Sequence, residues 1–329
     1  MADRPKTRLW CWRPWRATCV LSDGTITCSC IDSAKEEPLG NLNDDDFAEI
    51  WRGALYRRMR EKILENVNQI PICARCVNRT PLEGPEPPLV GIPFPEIAYI
   101  EPTSACNLSC PGCDREAARV RESMFMNMEL FKKAADQIVP HLRYLELYVL
   151  GESFAHPRIF DMISYAKRVN PNVLVNISTN GVHLADPRRQ EKVLDSGLDA
   201  LIFSIDGASQ ETYERYRRRG DLEKAIAAIR GILDKRRQRR VERPIVVWRY
   251  ILFHWNDSDE QMERARAIAA ELGVDYFTWH LNCVRPEDSS RRFAPGTPEW
   301  PRIEPDLFYN LEQRVMGRYL PGFEPGVVG

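Results

Sequence analysis

The sequence has no long hydrophobic run and almost no net charge, and these two absences exclude several classes of protein. No stretch of about 18 apolar residues occurs, so no transmembrane helix is predicted. Residues 1–15 contain no uninterrupted apolar segment of the kind that a secretory signal carries. The 46 basic and 47 acidic residues leave a net charge of -1, so nucleic acids and membrane surfaces would feel little attraction. We therefore expect a cytoplasmic protein that binds neither.

Cysteine, by contrast, is abundant. The 329 residues include ten cysteines, and most of them precede residue 114. In a reducing compartment we expect such thiols to bind metals or to act in catalysis rather than to form disulfides. The proline-rich segment 81–95 divides them into two groups and disfavours both helix and central strand. We interpret this segment as a linker between a small cysteine-rich module, 1–80, and a larger domain.

The larger domain, predicted over 96–284, alternates strand-like and helix-like segments, and 285–329 forms a tail rich in proline and glycine. The predicted strands are 96–102, 144–150, 173–178, 200–205, 245–253 and 276–280. The predicted helices are 128–138, 160–169, 188–196, 222–233 and 259–272. About six βα repeats predict an α/β fold with a parallel sheet, which is either open or closed wholly or partly into a barrel. In each case ligands bind at the C-terminal ends of the strands.

Three cysteines follow the first predicted strand of this domain on one short loop. Cys106, Cys110 and Cys113 have the spacing Cys-x3-Cys-x2-Cys. Three thiolates can hold a cubane iron–sulfur cluster and leave its fourth iron open to another ligand. The alternative is a structural zinc site that a distant histidine, such as His156 or His254, completes.

This loop, with Glu101–Ala105 just before it, resembles the radical S-adenosylmethionine superfamily. Further segments similar to the family's motifs follow in order along the chain: Gly151-Glu152, Ser178–Gly181, Ser204–Gly207, Glu211–Tyr213 and Arg217. The resemblance covers about 94–285 and implies a partial (β/α)6 TIM-like barrel. Leu150 stands in place of a glycine that is usual in the family, and Gly112 in place of a frequent aromatic residue.

The resemblance also implies a cofactor and the residues that hold it. The three-cysteine loop would carry a [4Fe-4S] cluster whose open iron binds S-adenosylmethionine, and reductive cleavage would yield a 5′-deoxyadenosyl radical that abstracts hydrogen. Glu152 would accept a hydrogen bond from the amino group of S-adenosylmethionine, and Arg217 would pair with its carboxylate. The cofactor-binding residues expected from the family are Gly151, Glu152, Ser178, Asn180, Ser204 and Arg217.

The N-terminal module combines short motifs that make only a small core. It contains an Asp23-Gly24 turn, which predicts a hairpin, a helical segment over 47–67, and a terminal Cys73-x-x-Cys76 pair. Metal ligation would supply the stability that such a core lacks. A zinc ribbon is one structure that would provide it.

The same motifs, together with the Cys11-x-x-Pro-Trp start, resemble the SPASM auxiliary-cluster domain, which in the family usually follows the barrel. The resemblance implies one auxiliary [4Fe-4S] cluster. Its ligands would be Cys11, Cys73, Cys76 and either Cys28 or Cys30, with Cys28 slightly favoured. Cys19 and Cys283 are expected to be ordinary packed thiols.

The sequence says little about the substrate. We expect a small polar metabolite, such as a sugar, aminocyclitol or nucleoside of natural-product biosynthesis, and a net dehydrogenation, epimerisation or decarboxylation. The alternatives are modification of a ribosomally made peptide and a non-catalytic iron–sulfur or zinc protein. A flavodoxin- or ferredoxin-type protein would supply electrons. Glu101 and His280 are candidates for substrate contact or proton transfer. Further candidates for the pocket are Tyr99, Arg249, Tyr250, His254, Trp279 and Asn282.

Overall fold

The computed structural model describes residues 8–29, 32–76, 79–82, 85–90, 92–113, 122–282 and 285–308. Its strands are β1 (Leu9–Trp10), β2 (Ala17–Val20), β3 (Thr25–Thr27), β4 (Gly40–Asn41), β5 (Thr80–Pro81), β6 (Ile97–Ile100), β7 (Tyr144–Glu146), β8 (Leu174–Thr179), β9 (Ala200–Ser204), β10 (Ile245–Leu252) and β11 (Tyr276–Leu281). Its α-helices are Arg13–Arg16, Phe47–Arg52, Ala54–Asn66, Pro71–Ala74, Met128–Ile138, Ile159–Val169, Pro187–Asp195, Gln210–Tyr216, Leu222–Arg239 and Asp259–Leu272.

Strands β6 to β11 form a parallel sheet in which each strand pairs with the next one along the chain. Helical connections return the chain to the same end of the sheet each time, as parallel pairing requires. This unreversed order is that of a partial (β/α)6 barrel, which confirms the predicted fold class. The C-terminal ends of the strands therefore meet at one edge, where the sequence places its motifs.

Successive residues of each strand point to opposite faces of this sheet. Ala98 and Ile100 of β6 pack in the main core beneath the helices. Ile202 of β9 and Val247 of β10 form a separate apolar cluster on the opposite, concave face. The concave face carries polar side chains nearer the C-terminal ends of the strands, and these belong to the site described below.

The N-terminal segment extends the barrel sheet directly. Strand β2 pairs in parallel with β6, from Ala17 opposite Ile97 to Val20 opposite Ile100. The predicted hairpin is present, because β3 pairs antiparallel with β2 and Gly24 adopts a φ of +86° in the turn between them. Strand β4 completes a nine-stranded sheet. The segment is thus joined to the barrel by backbone hydrogen bonds as well as by the chain.

The proline-rich segment is packed against the N-terminal helices. The indole N–H groups of Trp15 and Trp51 each donate a hydrogen bond of 2.9 Å, to the carbonyls of Pro88 and Ile92 respectively. Arg60, which is only 1% exposed, donates to two further carbonyls of the segment. The segment is therefore held in place where the sequence predicted a linker.

Most predicted elements of the barrel occur close to their predicted bounds, and the helices Met128–Ile138 and Asp259–Leu272 match them residue for residue. The prediction of one helix over 47–67 was wrong. Gly53 is in an extended conformation, with φ and ψ of -70° and 173°, and it separates two helices. Among the described residues, no helix has the length and apolar character needed to cross a membrane.

Candidate functional site

A cavity of about 310 Å³ opens at the C-terminal ends of the barrel strands. The three cysteines of the loop after β6 lie in its wall, and so does every cofactor-binding residue predicted from the sequence. Its lining comprises Cys106, Leu108, Ser109, Cys110, Gly112, Cys113, Tyr148, Val149, Leu150, Gly151, Glu152, Ser178, Thr179, Asn180, Ser204, Tyr216, Arg217, Arg249 and Ile251. The fold thus brings together residues from the ends of five strands. The first and the last of these residues are more than 140 positions apart along the chain.

The turn after β7 lies directly against the cysteine loop. Gly151 has a φ of +75°, and a Cβ atom at this position would approach the carbonyl oxygen of Thr103 to 2.4 Å. Only glycine fits such a close approach without strain. The backbone N–H of Glu152 then donates to the carbonyl of Ala105 at 2.8 Å. Gly151 therefore acts by allowing contact between the two loops.

Glu152 is buried, and its carboxylate connects three segments of the site. Oε2 accepts from the backbone N–H of Asn180 at 2.8 Å, while Oε1 accepts from the Thr179 hydroxyl at 2.8 Å and from the Phe154 N–H at 3.1 Å. Burial raises the pKa of this carboxyl group, and the three hydrogen bonds oppose that shift. A carboxylate has about four acceptor sites, so Glu152 retains capacity for one further donor at the cavity.

Asn180 ties the end of β8 to the cysteine loop. Its side-chain amide donates to the Asn107 side chain at 2.9 Å and lies 4.0 Å from the sulfur of Cys106. Its Oδ1 accepts from the Val182 N–H at 3.1 Å. The contacts place Asn180 at the base of the loop, where it orients Cys106.

Arg217 is half-buried beside the cysteines, although it begins a run of three arginines that the sequence alone could suggest to be solvated charges. Its Nε forms an ion pair of 2.5 Å with Oδ2 of Asp206, a residue with no exposed surface. Its Nη1 lies 3.9 Å from the sulfur of Cys110. The backbone N–H of Ile251 donates to the other oxygen of Asp206 at 2.7 Å, so the aspartate holds Arg217 in position at the cavity wall.

The environment of Cys110 is apolar on one side and cationic on the other. Leu108, Tyr216 and Phe253 form a hydrophobic cluster with it. Burial raises the pKa of the Cys110 thiol, and the charge of Arg217 lowers it in opposition. An iron–sulfur cluster bound here would be shielded from water on the aromatic side, which is one of the factors that set its reduction potential.

Ser178 and Ser204 lie side by side on the concave face. Their hydroxyl oxygens are 3.1 Å apart, and both accept hydrogen bonds from Nη2 of Arg249, at 2.9 and 2.7 Å. Sequence reasoning named Arg249 only as a pocket candidate and did not name Tyr148 at all. The strand-like alternation of residues 144–150 could have indicated Tyr148, because it places residues 146 and 148 on the same face of the sheet.

The expectation that Glu101 acts on the substrate is contradicted by its surroundings. Glu101 has no exposed surface and does not line the cavity. Its carboxylate accepts from the backbone N–H and hydroxyl of Ser22, at 3.0 and 2.7 Å, and from the Leu150 N–H at 3.2 Å. Glu101 therefore fastens the N-terminal hairpin to the barrel.

His280 also lies outside the cavity lining, on β11 next to Arg249 on the concave face. Burial, together with the charge of Arg249, lowers the pKa of its imidazole to about 3. Such a weak base accepts a proton poorly near neutral pH, so the structure does not support the predicted role in proton transfer.

A second group of cysteines lies in the N-terminal segment. Cys11, Cys28 and Cys73 are buried and Cys76 is half-buried. Burial is the main cause that raises the pKa of Cys73 to about 12, and the nearby Cys11 and Cys76 thiols add to it. The pKa of Cys28 is likewise raised by burial and by Cys11 and Cys73. The four thiols therefore lie within electrostatic reach of one another.

The other cysteines have different positions. Cys19 has no exposed surface and packs in an apolar cluster on β2. Cys30 and Cys283 lie outside the described residues, as do residues 309–329 of the predicted tail. The zinc alternative that uses His156 fails, because its Nε2 hydrogen-bonds to the Met126 carbonyl at 2.9 Å and its Nδ1 accepts from the Arg158 N–H at 3.0 Å.

The residues around the cavity provide the donors that an iron–sulfur cluster requires. Within the described part of the chain, no three histidine, cysteine or acidic side chains are gathered closely enough for one metal ion. A cubane cluster binds each thiolate through a different iron, so its ligands stand farther apart than those of one ion. The three loop cysteines, the spare acceptor capacity of Glu152 and the guanidinium of Arg217 fit a cluster with an amino-acid ligand.

Comparison with known families agrees with this geometry. The family model described as the radical SAM superfamily matches residues 100–266. A second, SPASM, described as an iron-sulfur cluster-binding domain, matches residues 11–77. The two matches contain the two groups of cysteines.

Among curated proteins, the chain is similar to three that carry different names. The tungsten-containing aldehyde ferredoxin oxidoreductase cofactor-modifying protein of Pyrococcus furiosus is 34% identical over 110 residues, which cover 33% of this chain and 30% of that protein. The AdoMet-dependent heme synthase of Methanosarcina barkeri is 27% identical over 207 residues, 62% of this chain and 56% of that protein. The PqqA peptide cyclase of Ruegeria pomeroyi is 24% identical over 195 residues, which cover 59% of this chain and 49% of that protein. The chain thus spans about a third to somewhat over a half of these relatives.

Proposed function

Because the chain belongs to the radical SAM superfamily, we propose that it is an enzyme that cleaves S-adenosylmethionine reductively and abstracts a hydrogen atom from its substrate. The observation that carries the proposal is the cavity in which the three loop cysteines face Glu152 and Arg217. Metal-binding and ligand-binding side chains of this kind have no use in a purely structural zinc or iron–sulfur protein.

When bound, a [4Fe-4S] cluster and S-adenosylmethionine supply the electron and the 5′-deoxyadenosyl radical. The chain's own residues bind and orient them. Cys106, Cys110 and Cys113 hold the cluster and leave one iron for the amino acid part of S-adenosylmethionine. Glu152 accepts from the amino group with its remaining acceptor site, and Arg217, already fixed by Asp206, pairs with the carboxylate.

The N-terminal cysteines bind one auxiliary [4Fe-4S] cluster in this proposal. Cys11, Cys73 and Cys76 are three of the ligands, and the mutual effect of Cys28, Cys11 and Cys73 on their pKa values supports Cys28 as the fourth. With four protein thiolates this cluster has no open iron. It is suited to electron transfer or to stabilising the fold, with a flavodoxin- or ferredoxin-type protein as the external donor.

The proposed substrate is a small polar metabolite, and the reaction after hydrogen abstraction is a dehydrogenation, epimerisation or decarboxylation. The hydrogen-bonded group of Ser178, Ser204 and Arg249 on the concave face supports a polar ligand, because it places hydroxyl and guanidinium groups beside the site of S-adenosylmethionine. Modification of a ribosomally made peptide is a second candidate. The similarity to the PqqA peptide cyclase of Ruegeria pomeroyi favours it.

Anaerobic reconstitution tests the proposed function. We expect about eight irons per chain, as two cubane clusters require, and 5′-deoxyadenosine after addition of dithionite and S-adenosylmethionine. The Cys110→Ala variant should make no 5′-deoxyadenosine, whereas Cys19→Ala, the control in the apolar cluster on β2, should retain the activity. A protein that takes up only zinc and makes no nucleoside would contradict the proposal.

A further inference from the structure

Arg249 stands on the concave face one hydrogen bond away from the residues proposed to hold S-adenosylmethionine. Its Nη2 donates to the hydroxyls of Ser178 and Ser204, and the side chain lines the cavity. A ligand that contacts Arg249 would therefore lie next to the bound S-adenosylmethionine. This is where the carbon atom that loses hydrogen has to be.

The charge of Arg249 has no partner of opposite sign in the described part of the chain. Its Nη2 donates to two uncharged serine hydroxyls, and its Nε is buried without any hydrogen-bond partner among the described residues. Glu146 is a buried carboxylate on the neighbouring part of the concave face. It is hydrogen-bonded to the Tyr148 hydroxyl.

Arg249 is half-buried at the cavity wall, and a partly desolvated charge without a counter-charge is destabilising. A protein keeps such an arrangement where a ligand supplies the missing charge. The acceptor that fits is anionic, because a guanidinium offers only donors and its Nε–H is still unused.

Phe308 and His280 lie next to Arg249 on the side away from the cysteine loop. The ring of Phe308 lies 5.1 Å from the guanidinium carbon of Arg249 and 5.9 Å from the ring of His280. Phe308 also packs on Ile202 and Val247, so it closes the barrel below Arg249. Because the ring of Phe308 covers one side of the guanidinium, an ion pair formed there is stronger than one in bulk water.

His280 contributes hydrogen bonding and no charge. Its imidazole is neutral near pH 7 because burial and Arg249 lower its pKa to about 3. Its Nδ1 is buried without a partner. Asn176, on the same face as Ser178, likewise has a buried Oδ1 without a partner while its Nδ2 donates to Tyr144 at 2.7 Å. A ligand with hydroxyl or amino groups would satisfy such atoms.

We propose that Arg249 binds a carboxylate, or another anionic group, of a small-molecule substrate and holds it between S-adenosylmethionine and Phe308. This inference rests on the proposed function and adds to it the chemical class of the substrate. His280 and Asn176 lie outside the cavity lining on the same concave face, and they offer hydrogen bonds to any polar part of the molecule that extends past Arg249. Arg217 keeps the carboxylate of S-adenosylmethionine, because its Nε is fixed by Asp206 at the cluster side of the cavity.

The variants that test this inference separate the charge of Arg249 from its geometry. Arg249→Gln removes the charge and keeps a donor for the two serines. Arg249→Lys keeps the charge and loses the planar fork. Arg230→Gln is the control, since Arg230 pairs with Glu271 on the exposed surface. Each reconstituted holoenzyme is first assayed with S-adenosylmethionine and dithionite alone. We expect Arg230→Gln to keep its iron content and 5′-deoxyadenosine formation within twofold of the wild type. For every variant, labelling is then expressed per 5′-deoxyadenosine formed, so that an effect on cleavage of S-adenosylmethionine is separated from an effect on the substrate.

The probe is a low-molecular-mass extract of the native host grown in deuterium oxide, divided by ion exchange into acidic, neutral and basic fractions. Deuterium in the 5′-deoxyadenosine product shows which fraction contains the hydrogen donor. We expect the acidic fraction to label the product with the wild type and with Arg230→Gln, at least tenfold less with Arg249→Gln, and to an intermediate extent with Arg249→Lys. Equilibrium dialysis of the acidic fraction against the holoenzyme should retain a compound that Arg249→Gln releases.

Several outcomes would overturn the inference without touching the proposed function. These are labelling from the neutral or basic fraction, no labelling from the acidic fraction, or equal labelling by Arg249→Gln. Loss of 5′-deoxyadenosine formation by Arg249→Gln without any extract would assign Arg249 to S-adenosylmethionine instead. If the wild type itself forms no 5′-deoxyadenosine, the proposed function fails, and the inference fails with it.

Discussion

Gly151 illustrates how one residue couples the two halves of the site. Its positive φ and its contact with the backbone of 103–105 allow the turn after β7 to lie against the cysteine loop. The family resemblance pointed to this glycine as a cofactor-binding residue. The structure gives the physical reason for it, which is the 2.4 Å approach that a Cβ atom would make to the Thr103 carbonyl.

We predict that Gly151→Ala prevents correct assembly of the cysteine loop. The iron content after reconstitution should fall from about eight to about four per chain, and 5′-deoxyadenosine formation should be lost. Gly296→Ala is the matched control, because Gly296 has a φ of +86° with no atom within 4 Å of a new Cβ. The free energy of unfolding of that variant should fall only by the roughly 1 kcal/mol that a positive φ costs a residue with a Cβ atom. Equal iron loss in both variants would show that backbone strain, and not the contact, is responsible.

Glu101 shows where reasoning from sequence fails at this scale. A carboxylate at the C-terminal end of a strand in an α/β protein occupies the position where catalytic groups are commonly found. Its partner, Ser22, lies 79 residues earlier in the chain, and nothing in the sequence pattern indicates that the two meet.

We predict that Glu101→Gln lowers stability more than activity. Loss of the charge weakens two hydrogen bonds from Ser22 and one from Leu150, and hydrogen bonds to charged groups contribute about 1.5–3 kcal/mol each. The thermal unfolding midpoint should fall by several degrees, while 5′-deoxyadenosine formation per folded, iron-loaded chain should remain within about threefold of the wild type. A loss of a hundredfold or more at an unchanged midpoint would restore the catalytic assignment.

At the scale of elements, the barrel was largely predictable and the N-terminal segment was not. Alternation and helical periodicity located the strands and helices of the barrel because its parallel strands follow one another in sequence. Strand β2 pairs with β6, which lies 80 residues later, and a short buried strand gives no signal of such a partner. The break at Gly53 was likewise hidden, since the apolar pattern continues across it.

The two cysteines of the 28–30 segment differ in their predicted effect on the auxiliary cluster. Cys28 follows β3 and is buried near Cys11 and Cys73. We expect Cys28→Ser to remove about four of eight irons and to leave the cluster of the barrel loop in place. The Cys30→Ser variant should retain all eight irons. The opposite pattern of iron content and Mössbauer spectra would assign the ligand to Cys30.

At the scale of the whole molecule, the N-terminal hairpin and the barrel share one continuous sheet. The N-terminal hairpin is hydrogen-bonded to the first barrel strand, and the carboxylate of Glu101 joins Ser22 to the turn after β7. The proline-rich segment is pinned by Trp15 and Trp51. Sequence composition predicted two cysteine groups with a boundary between them. It did not predict this attachment, because the attachment depends on pairing between distant segments.

The central claim is that the cysteine loop leaves one iron open for S-adenosylmethionine, and electron–nuclear double resonance tests it most directly. The sample is the reduced Cys28→Ser holoenzyme, which should contain only the barrel cluster, mixed with S-adenosylmethionine labelled with 15N in its amino group. The account predicts a 15N hyperfine coupling to the reduced cluster and a shifted electron paramagnetic resonance spectrum. An unchanged spectrum with no 15N coupling, in a protein shown by dialysis to hold the labelled compound, would contradict it.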